Sequence, residues 1–356
     1  MKFFSKKIID FKDAAAGLSI EDDRLRIVRV EDKKIRSYSS VVIPDGVISD
    51  GEILDKNELF RLLEKLFKSA KPKKIKTKKI RLALSESKSF LRLISIPAMS
   101  EKEINEAIKW EIEANIPLAL DQVYYDWQLV GDIFTNGDED GEIKVLVLAA
   151  AKRVVDQYLE ILEEFGLEII GIESETTALA RSLLSENSAP KTSLIMNVDE
   201  NKTSFIFAIG NIPCFTSSVP ISEKNIVGAI AKKFNISDEK AKEIEEKDGI
   251  GSFFEDDALF EAIRPTLDGL VGETKKTIDF YLDGLKYSDS IDRVIICGKM
   301  SKAKGLMPYL SRSLEIEVVE GDVRDGMAAS ISDIPIIEKD RAIKYAVAIG
   351  LALGNK

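Results

Sequence analysis

This sequence reads as an α/β chain made of two related halves. A strand–turn–strand segment occurs twice, half a molecule apart: AAAGLSIEDDRLRIVRV at 14–30 and LIMNVDENKTSFIFAI at 194–209. Each copy is followed by a third alternating segment and then by strands and helices in turn. The chain has 356 residues, 45% of them hydrophobic, which suffices for one core in each half. Weak self-similarity at this spacing marks a duplicated unit.

Alternating apolar residues over 14–43 predict three strands ending at Pro44. Leu59, Leu62, Leu63, Leu66 and Phe67 form a helical stripe between Asp55 and Ser69. A basic run, KPKKIKTKKIR, carries seven cationic residues between 71 and 81. It reads as a solvated connector, with contact to anionic lipid as the other reading. IRLALS (80–85) and FLRLISI (90–96) are strand-like. Ser100, with Glu103 three residues on, predicts a capping box and a helix to about Ala114. VYYDWQLV (123–130) alternates, TNGDEDGE (135–142) reads as a hairpin loop, and KVLVLAA (144–150) as a buried strand running into a helix to Phe165. Gly166 stops that helix. LEIIGIE (167–173) is a strand, with a helix to Leu184 after it. ENSAPK (186–191) is polar and contains proline, so the boundary between halves is expected there.

The second half repeats the scheme, with strands at 192–198, 203–209 and 212–219. Helices are expected at 222–233, 237–246 and about 255–285. A strand at 293–298, a helix at 302–313, a strand at 316–319 and a final helix at 340–353 complete it. Three strands, a helix, then alternating strand and helix, twice over, is the order of a duplicated ribonuclease-H-like core, the actin-like fold. The first half is expected over 1–188, with its core at about 8–90 and 166–188 and an inserted subdomain at about 90–165. The second is expected over 189–356, with its core at about 189–221 and 286–356 and a helical insert at about 222–285.

Composition excludes several functions. A net charge of −10 gives no basic field for nucleic acid. Without a single histidine there is no Ser-His or Cys-His pair and no imidazole ligand. Cys214 and Cys297 are isolated in apolar runs and read as inert buried thiols. No apolar run approaches the ~20 residues that span a bilayer, and a cytoplasmic location is expected. The N-terminal MKFFSKKIIDF is expected to pack on the body or fray, with a membrane touch as its alternative. Asp10, Asp126 and the loop at 136–142 lack the spacing of a calcium loop.

Residues 96–128, IPAMSEKEINEAIKWEIEANIPLALDQVYYDWQ, resemble the PilM family of actin-like type IV pilus proteins, relatives of FtsA. The match runs through Pro97, Met99, Ser100, Glu101, Glu103, Ile116, Pro117, Tyr125, Asp126, Trp127 and Gln128. SEKNIVGAIAKKFNISDEKAKEIEE (222–246), ETKKTIDFY (273–281) and RVIICGKMSKAKGLMPYLSRSLEIEV (293–318) are similar to the family's later motifs. The resemblance implies a scaffold of a type IV pilus or type II secretion-like inner-membrane platform. Its implied partner is the short cytoplasmic tail of a PilN-like membrane protein, with other platform components besides. That partner would hold the protein at the inner face of the membrane. The tail's groove is implied near residues 90–130 and 145–175, and Ile96, Trp110, Tyr125 and Trp127 are the candidate contacts. For the aromatic residues there, Tyr124 included, the other reading is the core of a small subdomain.

The departures from the family concern its phosphate loops. Its first loop, Gly-Leu-Asp-Ile-Gly, is here Gly17, Leu18, Ser19, Ile20, Glu21. Its second, Asp-Ile-Gly-x-x-x-Thr, is here Asn197 through Thr203, with Asp199 at the glycine position. The paired glycines of its adenosine motif are here Gly298 and Lys299. Glycine lets a backbone approach phosphate, and the family's aspartates serve Mg²⁺; Glu21 and Asp199 instead place side chains and negative charge there. Lys202 and Lys299 offset part of that charge. The expectation is therefore a degenerate nucleotide site with no cofactor. The alternative is a working ATP·Mg²⁺ switch of the same fold.

Overall fold

The computed structural model describes residues 15–49, 51–116, 118–130, 142–184, 191–251, 257–327, 337 and 342–354. The N-terminal segment, nearly all of the acidic loop at 135–142 and all but the last residue of the 186–191 boundary lie outside them. The chain clusters into two compact units, Met1–Asn187 with Asp322–Lys356, and Ser188–Gly321.

The first unit opens with β1 (Ala16–Ile20), β2 (Arg24–Glu31) and β3 (Lys34–Val42), an antiparallel meander. Short β4 (Ile48–Ser49) and β5 (Glu52–Ile53) lead to α1 (Lys56–Lys68). The Asp55 carboxylate caps α1 by accepting the Glu58 N–H at 3.0 Å. Next come β6 (Lys79–Leu84), β7 (Ser89–Pro97), α2 (Glu101–Asn115), β8 (Val123–Val130) and β9 (Glu142–Ala151). Then follow α3 (Lys152–Glu164), β10 (Glu168–Ser174) and α4 (Glu175–Leu183). The expected capping box of Ser100 and Glu103 starts α2. Gly166, at φ 91°, ends the turn after α3.

The second unit holds β11 (Thr192–Val198), β12 (Thr203–Ile209), β13 (Ile212–Val219), α5 (Glu223–Phe234) and α6 (Asp238–Asp248). It continues with α7 (Ala258–Asp279), a π-helical turn at Phe280–Leu285, β14 (Arg293–Cys297), α8 (Leu306–Leu314) and β15 (Val318–Glu320). Phe207 stacks on Tyr281, centroids 4.4 Å apart, which joins this sheet to the helical layer. Two elements beyond β15, α9 (Val323–Met327) and α10 (Ala346–Leu353), belong to the first unit.

The two sheets have one topology. The first runs β10-β6-β1-β2-β3 and the second contains β15-β14-β11-β12-β13. In each, a meander of three antiparallel strands is followed by two strands parallel to its first member. The duplicated core is thus present strand for strand.

Two expected boundaries shift. The insert was expected to reach about 165, but α3 packs Val154, Val155, Tyr158, Ile161 and Leu162 into the core of the first sheet. The inserted layer is the sheet β7-β9-β8 with α2 upon it. The stripe Ile104, Ile108 and Ile112 on α2 meets Val123, Val145, Val147 and Ala149 there. Each such buried side chain contributes roughly 2 kcal/mol. The end of the chain, expected with the second half, packs α10 against β1 and α4. Gly17 and Gly350 permit that contact. A Cβ at Gly350 would lie 1.8 Å from the Ala178 carbonyl oxygen, and one at Gly17 2.1 Å from that of Ala348. Arg181 ties the join, donating to the Gly350 carbonyl at 2.8 Å while paired with Glu173. Among the described residues, no helix is long and apolar enough to cross a membrane.

Candidate functional site

The two hairpin loops are built alike. Ile20 faces Leu25 and Val198 faces Thr203, so each loop holds four residues. The Glu21 N–H donates to the Arg24 carbonyl at 3.0 Å, and the Asp199 N–H to the Lys202 carbonyl at 3.0 Å. Ser19 and Asn197 therefore occupy equivalent positions, as the sequence repeat implied.

Their side chains differ. Ser19, 2% exposed, donates its hydroxyl to Glu21 Oε1 at 2.8 Å. The other Glu21 oxygen is ion-paired with Arg26, itself buried. Asp22 Oδ1 accepts the Gly51 N–H at 2.9 Å. In the second loop, Asp199 acts on the backbone, its Oδ1 accepting the Glu200 N–H at 3.0 Å. Glu200 is the charged hub, paired with Lys299 and, at 3.3 Å, with Lys224. Thr203, fully buried, donates to the Ile221 carbonyl at 2.6 Å. Asn197 Oδ1 accepts the Cys297 thiol at 3.6 Å. Gly298, at φ 84°, is required as glycine: a Cβ there would meet the Val198 carbonyl at 2.4 Å and Asn197 Oδ1 at 2.5 Å. Burial pushes the Cys214 thiol up to about 12, and it pushes Cys297 up as well, with the Asp199 charge adding to the effect. Neither is a nucleophile at neutral pH.

Arg26 and Glu200 were not singled out by sequence. Arg26 was within reach of it, because the hairpin register sets it opposite Ser19, with Glu21 next on the same face. The contact of Glu200 with Lys299 spans 99 residues and leaves no local signal.

The inserted layer contains a groove of about 640 Å³, lined by Met99, Ile104, Asn105, Ile143 and the consecutive residues 126–129. Strand residues alternate between faces, so four consecutive lining residues mean that the groove runs along the strand's edge. The pairing agrees, since β8 is the last strand of its sheet and pairs with β9 alone among the described residues. Trp127 is held there by its indole N–H, which donates to Asn105 Oδ1 at 2.9 Å. Asp126 accepts the main-chain N–H of Trp127 at 2.9 Å. Burial raises its carboxyl above the usual carboxylate range, and that hydrogen bond offsets only part of the rise.

The candidate contact residues are not all at this groove. Trp127 lines it. Tyr125 packs half-buried against the core of the insert, and Ile96, 6% exposed, is part of that core. Trp110 stands out from α2 at 72% exposure and does not line the groove. Tyr124 faces the other way: it packs against the first core and donates to Asp156 Oδ1 at 3.0 Å.

The family model for the type IV pilus assembly protein PilM matches residues 17–356. Among solved structures, the chain is similar to one from a PilM–PilN type IV pilus biogenesis complex. The two share 25% identity at a TM-score of 0.78, over 96% of this chain and 98% of that one. It is also similar to the ethanolamine utilization protein EutJ from Carboxydothermus hydrogenoformans, with 14% identity and TM-score 0.55 over 98% and 94% of the two chains. A third likeness is to MreB 5 of Spiroplasma citri bound to AMPPNP, with 12% identity and TM-score 0.52 over 95% of each chain. The last two likenesses concern the fold alone, which is actin-like.

Proposed function

The chain belongs to the family of the type IV pilus assembly protein PilM, and from that premise we propose that it works as a scaffold by binding rather than by catalysis. Its partner is the short cytoplasmic tail of a PilN-like membrane protein, and through that tail the protein is held at the inner face of the membrane. The observation that carries this reading is the likeness, over nearly the full length of both chains, to a relative solved as a PilM–PilN complex. The groove along β8, walled by Trp127, offers the matching chemistry: a strand edge that is unpaired among the described residues, beside apolar side chains.

Nucleotide has no part in this function. Ser19 and Asn197 provide no carboxylate for Mg²⁺ or its waters. A cation beside each loop is taken up by a carboxylate of that loop, Arg26 by Glu21 and Lys299 by Glu200. At either loop a phosphate would have to displace that loop's own ion pair and meet the charge of its remaining carboxylate, Asp22 in the first or Asp199 in the second. The competing reading, an ATP·Mg²⁺ switch, draws on Thr203 and Gly298, which the family's loops share.

Calorimetry separates the two. No heat of binding is expected with millimolar ATP·Mg²⁺, nor after Glu21→Gly with Asp199→Gly; micromolar affinity in the wild type would overturn the scaffold reading. For the partner, a peptide of the PilN-like N-terminal tail should bind. Trp127→Ala should weaken it at least tenfold, and Glu21→Gln should leave it unchanged. Equal losses from both variants would place the tail elsewhere.

A further inference from the structure

The net negative charge of this sequence falls within one stretch of it. From Ala98, just after β7, through Glu142, the first residue of β9, the chain has twelve acidic and two basic residues, a net of −10. That equals the net charge of the whole chain, so the remainder balances at 49 of each sign. This stretch contains α2 and β8 and so supplies most of the lining of the groove. Among the residues that line the groove, Asp126 is the one acidic side chain. It accepts the N–H of its neighbour Trp127, and it makes no ion pair among the described residues. A half-buried carboxylate without a cation is costly, and a cation supplied from outside relieves that cost.

The edge of β8 sets the form of such a ligand. A strand added there continues the sheet and sends successive side chains to opposite faces. One set meets Trp127 and Leu129 and is best apolar; the other meets Asp126 and is best cationic. We propose that the edge of β8 receives an extended peptide of alternating apolar and basic residues, and that Asp126 seats one of its Lys or Arg side chains. This rests on the groove's role as the partner site and adds what it selects for. The residues of that stretch which the structure describes, 98–116, 118–130 and 142, carry eight acidic and two basic side chains, and this excess attracts such a peptide at long range, while the seat sets the affinity for the cation.

The test uses the full chain and three labelled ten-residue probes, alternating leucine–arginine, alternating leucine–glutamine and alternating leucine–glutamate. The arginine probe is expected to bind at least tenfold tighter, about 1.4 kcal/mol. Asp126→Asn should remove that advantage and leave the glutamine probe unaffected, and Asp126→Lys should prefer a leucine–glutamate probe. Glu106→Gln, on the exposed face of α2, should change little beyond the salt dependence. Retention of the arginine preference in Asp126→Asn, or no binding of either probe, overturns the proposal. A PilN-like tail that binds through Trp127 yet ignores Asp126→Asn would leave the partner assignment standing and remove the seat. A tail that fails to bind while the probes obey Asp126 would do the reverse.

Discussion

Glu21 and Glu200, in the two hairpin loops, each lie against cations of their own unit: Arg26 for the first, Lys299 and Lys224 for the second. Asp126, in the groove of the insert, has the N–H of its neighbour and no cation among the described residues. The same functional group is thus compensated in the loops that resemble a ligand site and uncompensated where no such motif exists. Acidic residues in a phosphate-type loop do not by themselves define what the loop does. What distinguishes a closed site from a receptive one is whether the protein supplies the counter-charge itself.

The most severe way to break this comparison is to remove a cation from a loop. Arg26→Ala leaves Glu21 with the Ser19 hydroxyl but without its cation beside a buried strand, and we expect a loss of about 3 kcal/mol in denaturant unfolding. Adding Glu21→Ala should recover most of it. Simple additivity of the two substitutions would show that the pair does not hold the loop closed.

A fourth carboxylate sharpens the contrast, because it is buried among like charges. Glu245 on α6 is 5% exposed and faces Glu223 of α5, with Glu246 beside it; Lys242 lies 3.5 Å from Glu223. Burial first, then those two charges, push its carboxyl up to about 7 from 4.5. The folded state therefore holds a proton that the unfolded state has released between those values. Its stabilising effect is complete below pH 4.5 and is lost as pH rises through 7. Glu245→Gln should be more stable than the wild type by roughly 2 kcal/mol at pH 8 and indistinguishable from it at pH 4. A constant difference across that range would mean that Glu245 stays ionised in the fold.

The smallest expected effect is at the groove. Asp126→Asn removes a desolvated charge that has no ion-pair partner, so stability should rise by less than about 1 kcal/mol. A loss above 2 kcal/mol would show that the carboxylate is structurally engaged, and the contrast with Glu21 would fall.

Much of this was legible in the sequence wherever the signal is local. The hairpin strands, the Asp55 cap, the Ser100–Glu103 box and the stop at Gly166 are written in periods of two and 3.6 and in residues suited to caps. Each such choice is made within a few residues of chain. The aromatic candidates were harder, because strand or helix periodicity says which residues share a face but not what covers that face. Ile96 is in the core, Trp110 in solvent and Trp127 at the groove, yet all three are large apolar residues in regular elements.

The sequence by itself determined the duplicated order of strands and helices, the equivalence of Ser19 and Asn197, and the concentration of charge between residues 98 and 142. Alternation, turn length and composition are properties of the chain alone. Only the tertiary structure decided that α10 returns to the first unit and that α3 joins the first core. It also decided that β8 is an edge and that Glu200, but not Asp126, meets a cation. Those outcomes depend on contacts between residues far apart in the chain, such as Gly350 against Ala178 and Glu200 against Lys299. No local pattern encodes such contacts, because they are selected by how whole faces pack.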